Sequence, residues 1–533
     1  MRVGRGLLLA AALAAVPGPA GAQSDRQVFV VVAEGLSFPE ALADPVTGGL
    51  ARSGGIALLA GRRPRAVVGG DLVDLTARRV GPINRVGLDE LEQAVSGSAA
   101  REVLVVAIGF PASGNDFPVA VLASGSADEI LSATGSPGGL TSDTTRIPGL
   151  VADVDVAATI SELLSPGQRD DSPGSPIRVE GRAPTDLFDR AVDYRRVATP
   201  IGLVVLATGI GSLMVGLVLV LLRPLPVADA TVALLGLLAV ATMVALIPAS
   251  VLPSLEPGPL VPALAALGAV TTISALLVGR RDHALAVAAV AGIGLGLLVL
   301  DGILGWPTEV TPLLGGGAVL GVRFFGLGNS AAGIVLSGAV LVATRLRPWA
   351  GVGLIAGAAL FAGLPFLGAD LGGGVTLFAA AGLWYAWRVR GRMEPVGWVL
   401  AGVATVLGAG ILVATHAVWP QATHVTRAVE AGGLVGMFLD RLGSNLRATT
   451  EIWPVWITVV GLPVWLLVAW RRPGPFRPGL DDRPWCRVGV MILATSGMIG
   501  YVANDTYGTA AVAFAFVSAA MVYPTLRERW TSG

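Results

Sequence analysis

The sequence predicts an exported α/β domain followed by an all-α polytopic transmembrane domain of about 11 helices. Three observations carry that expectation. Only 14% of the 533 residues are charged and 53% are hydrophobic, whereas soluble domains carry roughly 25% charged residues. Of the 37 basic residues, all arginine, 18 precede residue 198. Beyond that point, apolar runs of about 20 residues recur to the end of the chain, the length that spans a bilayer as a helix.

Met1 to Ala22 has the form of a secretory signal. Arg2 and Arg5 give a positive start, Leu7 to Val16 a short apolar stretch, and Ala20-Gly21-Ala22 a small-residue cleavage site. The expected exported domain covers 23–197. Within it, QVFVVVA (27–33), EVLVVAI (102–108) and VAVLA (119–123) read as buried strands. Phe38 to Ser53 and Val154 to Leu164 have helical spacing. The Gly-, Pro-, Ser- and Asp-rich stretches 134–148 and 165–185 read as loop and linker.

The expected membrane domain covers 198–533. Its apolar runs lie near 198–222, 227–250, 259–279, 284–304, 325–344, 349–367, 371–387, 396–415, 452–470, 487–503 and 506–525. If 23–197 is exported, the loops alternate sides from there. The cytoplasmic ends then hold 15 arginines and the outer segments 4, namely Arg323, Arg427, Arg441 and Arg447. That bias obeys the positive-inside rule. The expected location is therefore the plasma membrane, with the C-terminus in the cytoplasm.

Composition narrows the chemistry. A net charge of +0 gives no field to draw nucleic acid. A single cysteine, Cys486, excludes an intrachain disulfide and a cysteine metal cluster, and three histidines leave little for imidazole ligation. No cofactor and no metal are expected.

The polar residues of the helical half gather in the segments expected to face outward. They are Arg323 and Asn329 around one helix start, Asp370 in the glycine-rich turn Gly368 to Gly373, and Asn504 and Asp505 in another turn. The long segment 416–450 adds His416, His424, Arg427, Glu430, Asp440, Arg441, Asn445 and Arg447. Ionisable groups near membrane depth usually face a cavity or a partner. Asp370 and Asp505 each immediately precede a helix, where Asp is a favoured N-cap, and Arg323 could pair with either. The candidate substrate-binding set is Arg323, Asn329, Asp370, His424, Arg427, Arg441, Arg447, Asn504 and Asp505; no catalytic residue is assigned. Asp301, near the end of the run 284–304, is the nearest approach to a mid-helix charge. The stretch from Val425 to Leu446 is amphipathic, suited either to the lipid interface or to packing on the bundle.

Two resemblances follow from motifs. Residues 27–60, with a strand ending in Glu34-Gly-Leu and then a helix and a second strand, resemble the opening of an alkaline-phosphatase-superfamily domain. Residues 144–164 resemble its closing segment, with Asp155 and Thr159 in the matching places. This implies a truncated alkaline-phosphatase-like fold. The departure is that 23–197 contains no His and no Cys, and only Glu34 stands where a first metal-binding acid would be. An inactive pseudoenzyme is the expectation. The helical half resembles a group of polytopic proteins of actinobacteria and other Gram-positive lineages that share motifs here read as Arg323 to Asn329, Gly368 to Gly373 and Asn504-Asp505.

Three functions remain open. One is an envelope transporter or flippase-like protein for an anionic or lipid-linked substrate at the outer face. Another is an outer-face enzyme on a lipid-linked sugar or phosphate, with His424 or Asp505 as base. The last is a non-catalytic scaffold or sensor. The expected partners are membrane lipid and that substrate.

Overall fold

The computed structural model describes residues 26–34, 36–60, 84–85, 90–98, 102–110, 118–134, 136–164, 174–182, 185–198, 200, 226–280, 282–315, 317–320, 325–389, 395–419, 434–451, 453–471, 476, 484–504 and 506–532. The signal-like segment 1–22 and most of the apolar run 198–222 lie outside them.

A mixed sheet forms near the N-terminus. Its strands are β1 (Arg26–Glu34), β2 (Gly55–Ala60), β3 (Asn84–Arg85), β4 (Glu102–Phe110), β5 (Val119–Gly125), β6 (Gly138–Thr141), β7 (Leu150–Ala152) and β8 (Arg178–Arg182). They run in the order β3-β1-β4-β5-β2-β6-β8, with β7 also paired to β2. The three predicted strands are β1, β4 and β5. β1 and β4 are parallel over their whole length, and β5 runs antiparallel to β4. The stretches read as loop hold strands as well. β6 exists only by pairing with β2 and β8, a long-range contact that a local Gly-Gly sequence does not signal.

The predicted helix Phe38 to Ser53 is two helices, α1 (Phe38–Ala43) and α2 (Pro45–Ser53). Pro45 cannot donate a helical hydrogen bond. Asp44 restarts the helix, accepting from the Val46 and Thr47 amides at 3.0 and 2.9 Å. Three further helices follow: α3 (Leu91–Ser96), α4 (Ala127–Ser132) and α5 (Asp153–Leu164). Another, α6, occupies 185–198.

Alternation of side chains fixes what each sheet face covers. Val28, Val30, Leu104, Val106 and Ile108 face α5, packing on Val156 and Ile160. Phe29, Val31, Val103, Val105 and Ala107 belong to a second core. That core runs through Phe188 and Tyr194 of α6 to Leu246, Leu255, Leu260, Leu264, Leu313 and Val319 in the helical half. The sheet therefore sits on one end of the helix bundle through a continuous apolar core. Tyr194 donates to the Pro312 and Gly315 carbonyls at 3.0 Å. Arg190 donates to Thr311 Oγ1 at 2.9 Å and to the Ser250 carbonyl. Burial lowers the Arg190 pKa.

The bundle comprises α7 (Pro226–Ala249), α8 (Pro257–Val278), α9 (His283–Ile303), α10 (Asn329–Ala343), α11 (Pro348–Gly363), α12 (Leu371–Trp384), α13 (Pro395–Val418), α14 (Leu434–Glu451), α15 (Trp453–Arg471), α16 (Pro484–Ala503) and α17 (Gly508–Ser532). Among the described residues, six helices are long and apolar enough to cross a membrane: α7, α8, α9, α13, α16 and α17. The end of α14 and α15 together form a pair bent by 106°. α10, α11 and α12 are shorter, at 15, 16 and 14 residues. Among the described residues, ten of the eleven expected runs fall on helices, some long and some short, and the run 198–222 lies mostly outside them.

α17 is central and almost wholly buried. The outer helices expose Val261, Val270 and Ile273, then Val403, Val406 and Leu407, then Val460 and Leu467. A surface this apolar is tolerated in lipid and not in water. These helices fit an integral membrane protein that crosses the bilayer several times.

At the end remote from the sheet, Asp282 pairs with Arg345 at 2.5 Å, and the Arg345 guanidinium lies 3.4 Å above the Trp485 ring. At the sheet end, the starts of α10, α12 and α17 meet the ends of α11 and α16.

Candidate functional site

Three of the segments singled out by sequence converge at the sheet end of the bundle. The turn before α10 lies against the turn before α12, where the Leu327 amide donates to the Gly368 carbonyl at 2.6 Å. Both turns use left-handed backbone, at Gly326 (φ 86°) and Ala369 (φ 50°). The Gly368 and Asp370 amides bond back to the Phe361 and Ala362 carbonyls of α11 at 2.8 Å, which holds the glycine-rich turn rigidly.

Asp370 is 3% exposed. It stands at the N-cap of α12, yet its side chain accepts no bond from that helix. Of the uses open to it, the N-cap is therefore not the one its side chain takes. The carboxylate instead lies over Gly373, where a Cβ would overlap its Oδ2. Gly372 presents bare backbone to Asn504, whose Oδ1 would overlap a Cβ there, so α12 and the end of α16 touch.

The polar chain continues from Asn504, whose Nδ2 donates to Thr509 Oγ1 at 2.7 Å. Thr509 donates to the Asn329 carbonyl at 2.8 Å, and Asn329 Nδ2 donates to Thr506 Oγ1 at 2.8 Å. α14 closes the other side. Asn445 Nδ2 donates to the Tyr501 and Asn504 carbonyls, both at 2.7 Å. Thr449 Oγ1 lies 2.5 Å from the Tyr501 hydroxyl, which donates to the Asn445 carbonyl. The amphipathic segment thus packs on the bundle through α14, while Leu439 and Leu446 remain exposed.

Helix length puts this network below the bundle's end. The close approach of Gly294 to Ile334 sets the antiparallel register of α9 and α10. With Gly338 against Ala291 and Leu295, and Gly292 against Val342, Asn329 is level with the last turn of α9, which ends at Ile303. Irregular backbone at such depth is tolerated only where protein or a water-lined cavity surrounds it.

Of the predicted site residues, Asn329, Asp370 and Asn504 come together. Arg323, His424, Arg427 and Asp505 lie outside the described residues. The backbone of Arg441 is in α14, and its side chain is likewise outside. Arg447 is exposed and bonds Ser444 at 3.3 Å, on the surface of α14 and away from the cluster. His416 is buried at the end of α13, 2.9 Å from the Gly363 carbonyl, as a packing residue. Asp301 accepts from the Thr308 hydroxyl and amide at 2.5 and 3.2 Å, holding the short turn Pro307–Val310 rather than facing a pathway. Sequence reading did not place Asn445, Thr449, Tyr501, Thr506 and Thr509 in the site. Their only signal is a polar residue in an apolar context, which long-range partners alone make meaningful.

The positions singled out by the expected phosphatase resemblance serve the fold. Asp155 is fully buried and accepts from Ser142 Oγ at 2.6 Å, the Ala152 amide at 2.8 Å and the Ser175 amide at 3.0 Å. Thr159 accepts from the Ile177 amide. With its oxygens so engaged, Asp155 does not fit a metal ligand, and among the described residues no three His, Cys, Asp or Glu gather as ligands would. The side chain of Glu34 lies outside the described residues.

Desolvation raises the Asp155 pKa, against opposing hydrogen bonds from Ser142, Thr144 and the Ser175 and Ala152 amides. The folded state therefore favours the protonated form. Its stabilising contribution is full at pH below the ordinary Asp range and is lost as pH rises through the raised value. Asp155→Asn should flatten this slope. It should also cost about 2 kcal/mol by turning an amide donor toward existing donors, read as a fall of roughly 4–8 °C in the melting temperature.

Compared with known proteins, the chain matches no family model, no curated protein and no solved structure.

Proposed function

We propose that this membrane protein resides in the cell envelope and moves an anionic or lipid-linked substrate by way of the polar cluster, with the sheet end facing outward. The observation that carries this reading is the convergence of Asn329, Asp370 and Asn504, from three separate turns, beside the last turn of α9. Broken helices whose ends meet at such a depth are how transporters build substrate sites. The starts of α10, α12 and α17 all point at this place, and helix N-termini favour negative charge.

The arginine distribution supports the orientation, with 15 arginines at the cytoplasmic end. Under this reading 1–22 is the export signal, 23–197 the exported domain and 198–533 the membrane domain. The phosphatase-like part is a relic that serves as a cap and binds rather than reacts.

The test is movement of lipid. Full-length protein in vesicles should speed transfer of a headgroup-labelled phosphatidylglycerol between leaflets, relative to protein-free vesicles. Asp370→Asn should slow transfer by about tenfold, roughly 1.4 kcal/mol, with melting temperature little changed. If the protein speeds no anionic or lipid-linked substrate, the transport reading is wrong. Chemical turnover of a lipid-linked sugar phosphate would instead establish an outer-face enzyme.

A further inference from the structure

We propose that Arg146, in the sheet-bearing part of the chain, is an oxyanion-binding residue of the polar site, presented across the seam between sheet and bundle to a phosphate or a phosphate headgroup. The proposal rests on the reading of that end as a ligand site and supplies the chemistry of the ligand.

Arg146 lies in the turn between β6 and β7. Its φ of 56° is left-handed, a conformation uncommon for a residue with a Cβ. The turn is closed by the Arg146 amide, which donates to the Ser142 carbonyl at 2.9 Å. Ser142 is itself anchored on buried Asp155 at 2.6 Å. The backbone is therefore held in an unfavourable conformation by a buried network, and the arginine is directed by it.

The guanidinium carbon sits 4.2 Å from the centroid of the Phe325 ring, a cation–π contact that fixes its plane. Phe325 belongs to the segment Arg323 to Asn329, and the next residue, Gly326, meets Gly368 and Ala369 immediately before Asp370. Arg146 is thus joined to the polar cluster through one ring and one turn.

Among the described residues no carboxylate lies within ion-pair distance of Arg146, and no hydrogen bond takes up its donors. The neighbouring acid, Asp143, is 2.5 Å from Arg178. Burial lowers the Arg146 pKa while the charge of Asp143 opposes the shift, the mark of a cation whose lost hydration is only partly compensated by a neighbouring anion. The residue as a whole stays exposed, so a ligand can reach it. A planar fork with free donors suits the two oxygens of a phosphate, which a lysine would meet only as a point charge.

The experiment titrates full-length protein in detergent with inorganic phosphate, short-chain phosphatidylglycerol and short-chain phosphatidylcholine, followed by calorimetry. Wild type should bind phosphate or phosphatidylglycerol in preference to phosphatidylcholine. Arg146→Ala should weaken that binding about tenfold or more, the loss expected when hydrogen bonds to a charged group are removed. Arg146→Lys should weaken it less. Arg146→Gly removes the same side chain while relieving the left-handed backbone, so it tests the same point even if the alanine variant folds poorly.

Binding of inorganic phosphate alone identifies a free anion as ligand; binding of phosphatidylglycerol alone identifies a lipid headgroup. Either supports the proposal when Arg146→Gly lowers it. Wild-type affinity in both the alanine and glycine variants, or no preference for the anionic probes in wild type, overturns it. Arg146-dependent binding without lipid transfer would retain this inference and remove the transport reading.

Discussion

Gly326→Ala should abolish whatever the polar cluster does and lower stability by roughly 2–5 kcal/mol. Two physical effects add here. Gly326 adopts φ 86°, in the left-handed region, where a residue with a Cβ is disfavoured by about 1–2 kcal/mol. A Cβ would also overlap the carbonyl of Gly368. That oxygen cannot move aside, because it accepts from the Leu327 amide while the Gly368 amide bonds to Phe361. Relieving the overlap means separating the turns before α10 and α12, and overpacking of this kind costs about 1–3 kcal/mol. The matching control is Gly353→Ala on α11, where no heavy atom lies within 4 Å of a Cβ. Thermal melting in detergent should show a large loss for Gly326→Ala and almost none for Gly353→Ala. Equal melting temperatures would refute the close approach of the two turns.

Asn445→Ala should release α14 from the bundle. Its Nδ2 group serves the carbonyls of Tyr501 and Asn504 together, at the last turn of α16, where helix carbonyls have no partner within the helix. In water, solvent would replace such bonds. Here Asn504 is 1% exposed, and leaving a buried acceptor unsatisfied costs about 1–3 kcal/mol. Hydrogen bonds between membrane helices often contribute less, around 0.6 kcal/mol, so the net expectation is about 2 kcal/mol for the pair. Hydrogen exchange should locate the effect: amides of 434–451 lose protection while those of α9 and α17 keep theirs. Uniform loss across the bundle would mean that Asn445 supports the whole fold rather than this one contact.

Both expectations concern residues whose importance no local reading could weigh. Gly326 is one glycine among 72, and Asn445 is one polar residue on an amphipathic helix. Asp370 stood out because a charge beside glycines is rare in an apolar stretch, and of its alternatives the N-cap is not the one taken. The carboxylate folds over Gly373 because Gly372 and Gly373 leave room for Asn504 and for itself. Three of the sequence-derived site residues meet, and Arg447 does not, since its position on α14 turns it away from the contact that Asn445 makes.

Hydrophobicity along the chain was enough to determine that this protein is built of apolar helices suited to a bilayer, that a strand-rich region precedes them, and that polar residues gather in particular turns. Those properties are local sums over a window of residues, and burial of apolar surface acts on each window almost independently. Tertiary structure alone decided which helices are short, that the sheet sits on the bundle, and that Asn445 joins Asn329, Asp370 and Asn504 in one site. These depend on register and close approach between segments as much as 180 residues apart, and on backbone groups that find partners only after the helices have packed. A sequence window contains no such distances, so that part of the protein became legible only in three dimensions.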